Sequence, residues 1–350
     1  MRFGVFLLAA QFPGQDHTTV LDSTVAAALA AEEAGFDDVW VAEHHFMSYG
    51  VCPCAITLAG YLLGATHRIV VATAVSVLST QHPVALAERA ALLDQLSGGR
   101  FRLGVGRGGP WIDLEVFGTG LDRYQHAFPE ALDLLLAALT RPRVAAHGPH
   151  FRFPGVDIVP RPRTRPRPDV ILAATTTATV ELAARRGLPL LLGMHASDTD
   201  KAALIGHYDR VAGGTHQGGT RRVTHVAAAL AHVADSQHEA LATMRRCLPR
   251  WLGPGLASYR RADGGPHHPR DPAEYTELLC RLHPVGTAEH CRDTLATTAR
   301  RTGIEHVILL VEGTGECSRT LENITRLGAE VLPHLRRRTQ PDLPAPPDTE

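Results

Sequence analysis

The chain has 350 residues, 44% hydrophobic and 20% charged, with 35 basic and 36 acidic side chains and a formal net charge of −1. This is a globular composition, long enough for two ordinary domains or one (β/α)₈ barrel, and it excludes a disordered chain. The balanced charge gives no electrostatic case for a nucleic-acid or anionic-membrane partner.

Lys201 is the only lysine, so nearly all the basic residues are arginine. With abundant alanine, this reads first as the coding bias of a GC-rich genome. The six cysteines are Cys52 and Cys54 in a C-x-C spacing and four scattered ones, Cys247, Cys280, Cys291 and Cys317. They form neither a disulfide framework nor a zinc knuckle, so a reducing, cytoplasmic location is expected. Arg2 and the apolar run behind it are too short and too weakly basic for a signal peptide and read as a buried first strand. No apolar stretch reaches membrane-spanning length.

In chain order, eight short β-rich runs are predicted as strands: 2–8, 38–42, 69–75, 101–105, 169–173, 189–192, 222–228 and 306–311. They are continuously apolar, as strands buried on both faces are. Between and after them, helical patterns cover 18–34, 53–65, 83–96, 127–140, 178–186, 200–212, 236–252, 287–301 and 318–335. Helix signals support several of these. Asp16 and Thr18 are candidate caps for the first, which ends at Gly35. Pro83 starts the third and Gly98-Gly99 stop it. Eight strands, each followed by a helix, predict a (β/α)₈ barrel, with a doubly wound sheet as the alternative. Two segments interrupt the alternation as excursions. Residues 141–168, between strands four and five, are rich in Pro and Arg. Residues 253–284, between strands seven and eight, are rich in Gly, Pro and His and are placed to act as a lid. A single domain over 1–335 is expected, followed by a Pro-rich disordered tail over 336–350.

Barrel enzymes build their sites at strand C-termini, and polar or glycine-rich residues recur there in this chain. Strand one ends near Phe6. Strand two runs into Glu43-His44-His45, which reads as a metal site, a packed pair or a general acid/base histidine. Neighbours on a strand point to opposite faces, so His44 and His45 cannot both reach one ion without a bend. Proton exchange near neutral pH fits the third reading. Strand three ends around Ala74 and Val75. Strand four ends in Gly104 to Gly109, a literal G-x-G-x-x-G. A dinucleotide site would need a helix opening at the last glycine, and Pro110-Trp111 follow instead. An anion-binding turn beside Arg107 and a plain glycine turn both remain open. Strand five ends in Thr175-Thr176-Thr177 at a helix start, either a phosphate seat or simple N-capping. Arg107 and this turn could grip one phosphate together.

The blocks "EEAGFDDVWVAEHHF", "HPVALAERAALLDQLSGGRFRLGVGRG", "VFGT", "RRGLPLLL" and "HPVGTAEHCRDTL", in this order, resemble the bacterial luciferase-like flavin monooxygenases. Among them the chain is more similar to the catalytic than to the non-catalytic subunit of bacterial luciferase, because Glu-His-His is intact. The resemblance implies a barrel that binds reduced FMN delivered by a separate flavin reductase. Reaction with O₂ as co-substrate forms a flavin hydroperoxide that oxygenates a small organic substrate. It implies that His44 is the catalytic proton-transfer group, with Glu43 and His45 as its neighbours. A non-proline cis peptide is expected at Ala74–Val75. Arg107, Thr176 and Thr179 match phosphate contacts, and Phe6, Gly106 and Thr175 join the cofactor-facing set. Where luciferase has a reactive cysteine this chain has Gly106, expected to open space beside the flavin. A second phosphate arginine is replaced by Gln125, with Arg123 as the expected substitute. These departures bear on the substrate, not on flavin binding. A homodimer is implied. In GC-rich sources such enzymes tailor natural products, which is an association rather than a mechanism. Two alternatives stay open: deazaflavin-dependent hydride transfer within the same superfamily, and a non-catalytic flavin-binding partner subunit.

Overall fold

A computed structural model describes residues 1–215, 223–265 and 270–337. Eight parallel strands close into a barrel: β1 (Arg2–Leu7), β2 (Asp38–Val41), β3 (Val70–Thr73), β4 (Phe101–Gly106), β5 (Val170–Ala173), β6 (Leu190–Leu192), β7 (Val226–Leu230) and β8 (His306–Leu310). Each pairs with its neighbours in sequence, and β8 pairs back onto β1 with Phe6 level with Leu310. The expected barrel is therefore the observed one.

Helices α1 (His17–Glu33), α2 (Ala55–Ala65), α3 (Pro83–Leu96), α4 (Phe128–Thr140), α5 (Thr177–Arg185) and α6 (Asp198–Thr215) follow the first six strands. After β7 come α7 (Gln237–Ala257), α8 (Pro272–Leu282) and α9 (Ala288–Thr302); α10 (Cys317–Arg326) follows β8. The strand period of two sorts the core into two layers. Val5, Leu7, Val39, Val41, Val307 and Leu309 face outward against the helices. Phe6, Trp40, Ala72, Ile171, Ala228 and Ile308 face inward and fill the barrel. Beneath them the buried Asp38 carboxylate accepts from Trp40 Nε1 (2.6 Å), His306 Nε2 (2.9 Å) and Arg2 Nη2 (3.1 Å), joining three strand beginnings.

Both excursions hold more regular structure than composition indicated. The first contains an antiparallel hairpin, Arg143–His147 with Arg152–Asp157. Asp94 of α3 anchors its far end, accepting from Thr164 N and Thr164 Oγ1, both at 2.7 Å. In the second, α7 does not stop at Leu252 but runs on through Pro249 and Pro254 to Ala257. Burial of Met244, Leu248, Trp251 and Leu252 on one face outweighs the lost donors. Helical structure continues to Arg337, two residues into the segment expected as a tail. A last helix runs Leu332–Arg337, and Arg336 Nη2 donates to Gly35 O at 2.9 Å and Asp37 Oδ2 at 2.7 Å. The rest of the expected tail, 338–350, lies outside the described residues. No helix among the described residues is long and apolar enough to cross a membrane.

Candidate active site

The C-terminal mouth of the barrel holds a cavity of about 440 Å³. Its floor is made by Ala228 and Ile308 inside β7 and β8 and by Phe6, Ala74, Val75 and Ala173 at or just past their strand ends. Most are small, which makes the floor broad and apolar. The Ala74–Val75 peptide is cis, at the position the resemblance implied. It lies between β3 and the short strand Ser76–Val77, which pairs with β4.

Glu43, His44 and His45 leave β2 together but do different work. The buried Glu43 carboxylate accepts from Val77 N through Oε1 (3.0 Å) and from Ala55 N through Oε2 (3.1 Å). It therefore ties the end of β2 to the chain after β3 and to the start of α2. Cys54 at that helix start gives no side-chain cap, so the carboxylate takes its place, where the helix dipole favours negative charge. The sequence grouped Glu43 with catalytic residues; its geometry is that of a positioning residue.

His44 lines the cavity, and its amide donates to Cys52 O at 2.9 Å. Its ring meets Tyr49 edge-on, with centroids 5.0 Å apart. Nδ1 is buried without a hydrogen-bond partner, which leaves Nε2 as the nitrogen open to a reactant. Burial, helped by the neighbouring His45, lowers the His44 pKa to about 4. The imidazole is thus neutral at physiological pH, with its lone pair available but weakly basic. Gly50 closes the other side: a Cβ there would lie 2.8 Å from His44 Nδ1 and would also collide with Leu8 O. His45 packs on the Phe117 ring at 4.9 Å, with Nε2 3.6 Å from Glu43 Oε1 and no hydrogen bond. Burial raises the pKa of the nearby Asp113, which the charge of His45 opposes.

The expected phosphate residues follow two neighbouring strands. The β4–β5 register sets Val105 level with Leu172, so Arg107 leaves β4 beside the chain that leads from β5 into the Thr175–Thr177 turn. The Arg107 guanidinium lies over the Phe128 ring (5.2 Å) and Tyr124 ring (5.9 Å) and has no acceptor among the described residues. Thr176 caps α5; its Oγ1 accepts from Thr179 N at 3.4 Å and lies 3.1 Å from Thr179 Oγ1. Thr175 reaches the cavity wall. Free amides, two hydroxyls and an uncommitted guanidinium match a phosphate group.

Two expectations change. Arg123 does not join Arg107: it donates to Gln81 O and lies over the Phe151 ring at 4.9 Å, in a separate groove beside His82. Gly106 does not open space: a Cβ there would sit 2.7 Å from Val75 Cγ2, so Val75 already fills the position. No trio of metal-ligating side chains is gathered among the described residues.

Sequence reasoning missed the upper walls. Tyr49, Trp111, His195 and Tyr259 line the cavity from loops beyond the strand ends, and Tyr275 from α8. Two signals were available: Tyr49 lies five residues after His44, and Tyr259 and Tyr275 fall in the segment read as a lid. Also missed was Glu312, just after β8. Its carboxylate accepts from Leu8 N (2.6 Å) and Ala10 N (3.4 Å), holding the loop after β1, and burial pushes its pKa up to about 7.

The fold and this mouth define an α/β-barrel oxidoreductase, and comparison with known proteins agrees. The family described as luciferase-like monooxygenase matches residues 1–306. The alkanal monooxygenase alpha chain of Photorhabdus luminescens is 30% identical over 97% of this chain and 98% of its own. Among solved structures, the monooxygenase RslO1 from Streptomyces bottropensis superposes with a TM-score of 0.84 at 23% identity, covering 95% of this chain and 99% of its own. An F420-dependent secondary alcohol dehydrogenase shares the fold with a TM-score of 0.76 at 18% identity, covering 96% and 99%. The chain belongs to the luciferase-like monooxygenase family and is a flavin-dependent monooxygenase.

Proposed function

We propose that the chain is the oxygenating component of a two-component system. It takes reduced FMN from a separate flavin reductase and uses O₂ to place one oxygen atom on a small organic substrate. The observation that carries this reading is a neutral, buried His44 on an apolar cavity whose wall includes Thr175, next to Thr176 at the cap of α5. The residues fit the cofactor. Arg107 and the Thr176–Thr179 turn carry the donors that a phosphate needs, and the apolar floor with the small side chains of Ala74, Val75 and Ala173 suits an isoalloxazine ring. When bound, reduced FMN supplies the two electrons that divide O₂ between product and water. The overall balance is substrate plus O₂ plus reduced FMN giving oxygenated substrate, water and FMN.

The chain's own groups do the rest. Arg107 and the Thr176–Thr179 turn bind the charge. The apolar walls exclude water. Glu43 holds the His44 backbone in register, and His44 Nε2 accepts and returns the proton that the oxygen chemistry moves. In the deazaflavin alternative, the same neutral histidine would serve hydride transfer without O₂.

The deciding experiment mixes the protein anaerobically with reduced FMN, or with reduced deazaflavin, and then admits O₂. FMN-dependent, O₂-dependent product with micromolar FMN binding is expected. Tight deazaflavin binding with substrate reduction and no O₂ uptake overturns the proposal. Full activity after His44→Ala would instead favour the partner-subunit alternative. A homodimer is part of the proposal and is checked by sedimentation.

A further inference from the structure

The side of the cavity away from the floor is built of rings. Tyr49 is clamped: its ring stacks on Trp251 at 4.7 Å and 19°, meets His44 edge-on, and lies 5.9 Å from Tyr259. Trp251 Nε1 fixes the Tyr49 backbone by donating to its carbonyl at 3.0 Å. Tyr259 in turn lies 4.6 Å from Trp111, and Tyr275 carries the Arg270 guanidinium over its face at 4.8 Å. All of these but Trp251 and Arg270 face the cavity. A continuous aromatic wall thus leads from the catalytic histidine to the mouth.

The wall has unused polar ends. The Tyr49 and Tyr259 hydroxyls make no hydrogen bond with any described residue. Burial raises both pKa values, further raised by the neighbouring phenols, so both stay protonated as donors. Phenols near the inside of a protein ordinarily find a partner, and both of these residues line the cavity.

Resting on the FMN reading above, we propose that this wall selects a planar aromatic substrate bearing hydroxyl or carbonyl oxygens, rather than a linear alkanal; with Tyr259 tilted 55° to Tyr49 and 52° to Trp111, such a substrate would lie on one ring face and meet the other rings by their edges. Ring faces fixed by packing reward a rigid flat partner, and substrate oxygens answer the two phenols. A flexible chain would lose rotor freedom on entry and leave both hydroxyls unpaired. Arg260, on the same wall, adds a donor for a carbonyl or phenol oxygen.

Titration calorimetry on the full chain, with and without FMN, tests the wall directly. The probes are 1,8-dihydroxyanthraquinone and decanal. The quinone is expected to bind at least about tenfold more tightly than decanal, with or without FMN. Tyr259→Phe and Tyr49→Phe, which keep the ring, are each expected to weaken quinone binding about two- to tenfold and leave decanal binding unchanged. FMN affinity is expected to be unchanged in both variants. The proposal is overturned if decanal binds as well as the quinone, or if neither variant alters quinone affinity. It is overturned equally if the variants weaken FMN as much as the quinone, which would make the wall part of the flavin seat. If FMN itself fails to bind while the quinone still shows these preferences, the FMN reading falls and the substrate class stands.

Discussion

At the scale of single residues, the mouth separates holding from reacting. Glu43 spends both carboxylate oxygens on backbone amides, while His44 Nδ1 is buried with no hydrogen-bond partner among the described residues. His44→Ala is therefore expected to lower oxygenation by about 10²–10⁴-fold with FMN affinity retained, read by product formation under saturating reduced flavin. Because burial sets the His44 pKa near 4, the acid limb of kcat is expected near that pH rather than near 6.5. A limb at pH 6 to 7 that disappears in His44→Gln would contradict a buried neutral imidazole. Gly106 gives a second residue-scale prediction. Restoring the cysteine found in luciferase, Gly106→Cys, drives a side chain into Val75 and is expected to cost about 1–3 kcal/mol by denaturant unfolding. An unchanged midpoint would show that Val75 yields freely.

At the scale of elements, the excursions are attached at a few defined points. Asp94 of α3 is buried and receives both the amide and the hydroxyl of Thr164. Asp94→Ala leaves the Thr164 amide without its partner and is expected to lose about 1–3 kcal/mol. Faster proteolytic cutting between 158 and 168 should accompany the loss; cutting at the wild-type rate would mean that the segment is held elsewhere. The barrel was legible in the sequence because its strands are continuously apolar runs bounded by turn residues; each observed strand overlaps its run, the seventh least, since it was expected at 222–228 and spans Val226–Leu230. The residues at the strand ends were legible for the same reason, since position on a barrel strand alone places His44, Ala74 and Arg107 at the mouth. What was not legible depends on contacts distant in sequence. The α7 extension past Pro254 is decided by packing around Trp251 and Tyr49, some 200 residues away. The direction of Arg123 is decided by the carbonyl of Gln81, and the Gly106 space by Val75 on a neighbouring strand. None of these leaves a periodic trace.

At the scale of the whole molecule, buried histidines make stability depend on pH. Burial lowers the pKa of His232 to about 4 and that of His283 to about 3. Both are neutral when folded and take up protons near pH 6.5 when unfolded. Their contribution is fully present above pH 6.5 and is lost as pH falls from there toward 4 and 3. Glu312 acts with the opposite sign: raised to about 7, it stabilises fully below its unfolded value of 4.5 and loses that contribution as pH rises through 7. The melting temperature is expected to fall steadily between pH 6.5 and 4, and His283→Gln to make that fall shallower. An unaltered slope in the variant would place the acid sensitivity elsewhere. Across the mouth, the two excursion-side loops touch. Ile112 N donates to Arg260 O and Ala262 N to Pro110 O, both at 2.8 Å. Two backbone bonds hold with a net strength of about 1–3 kcal/mol together. The corresponding open fraction is roughly one molecule in six to one in about 160 at any instant. Such a latch is shut in most molecules yet opens at little cost, so turnover is expected to slow with solvent viscosity if release, rather than oxygen transfer, is the slower step.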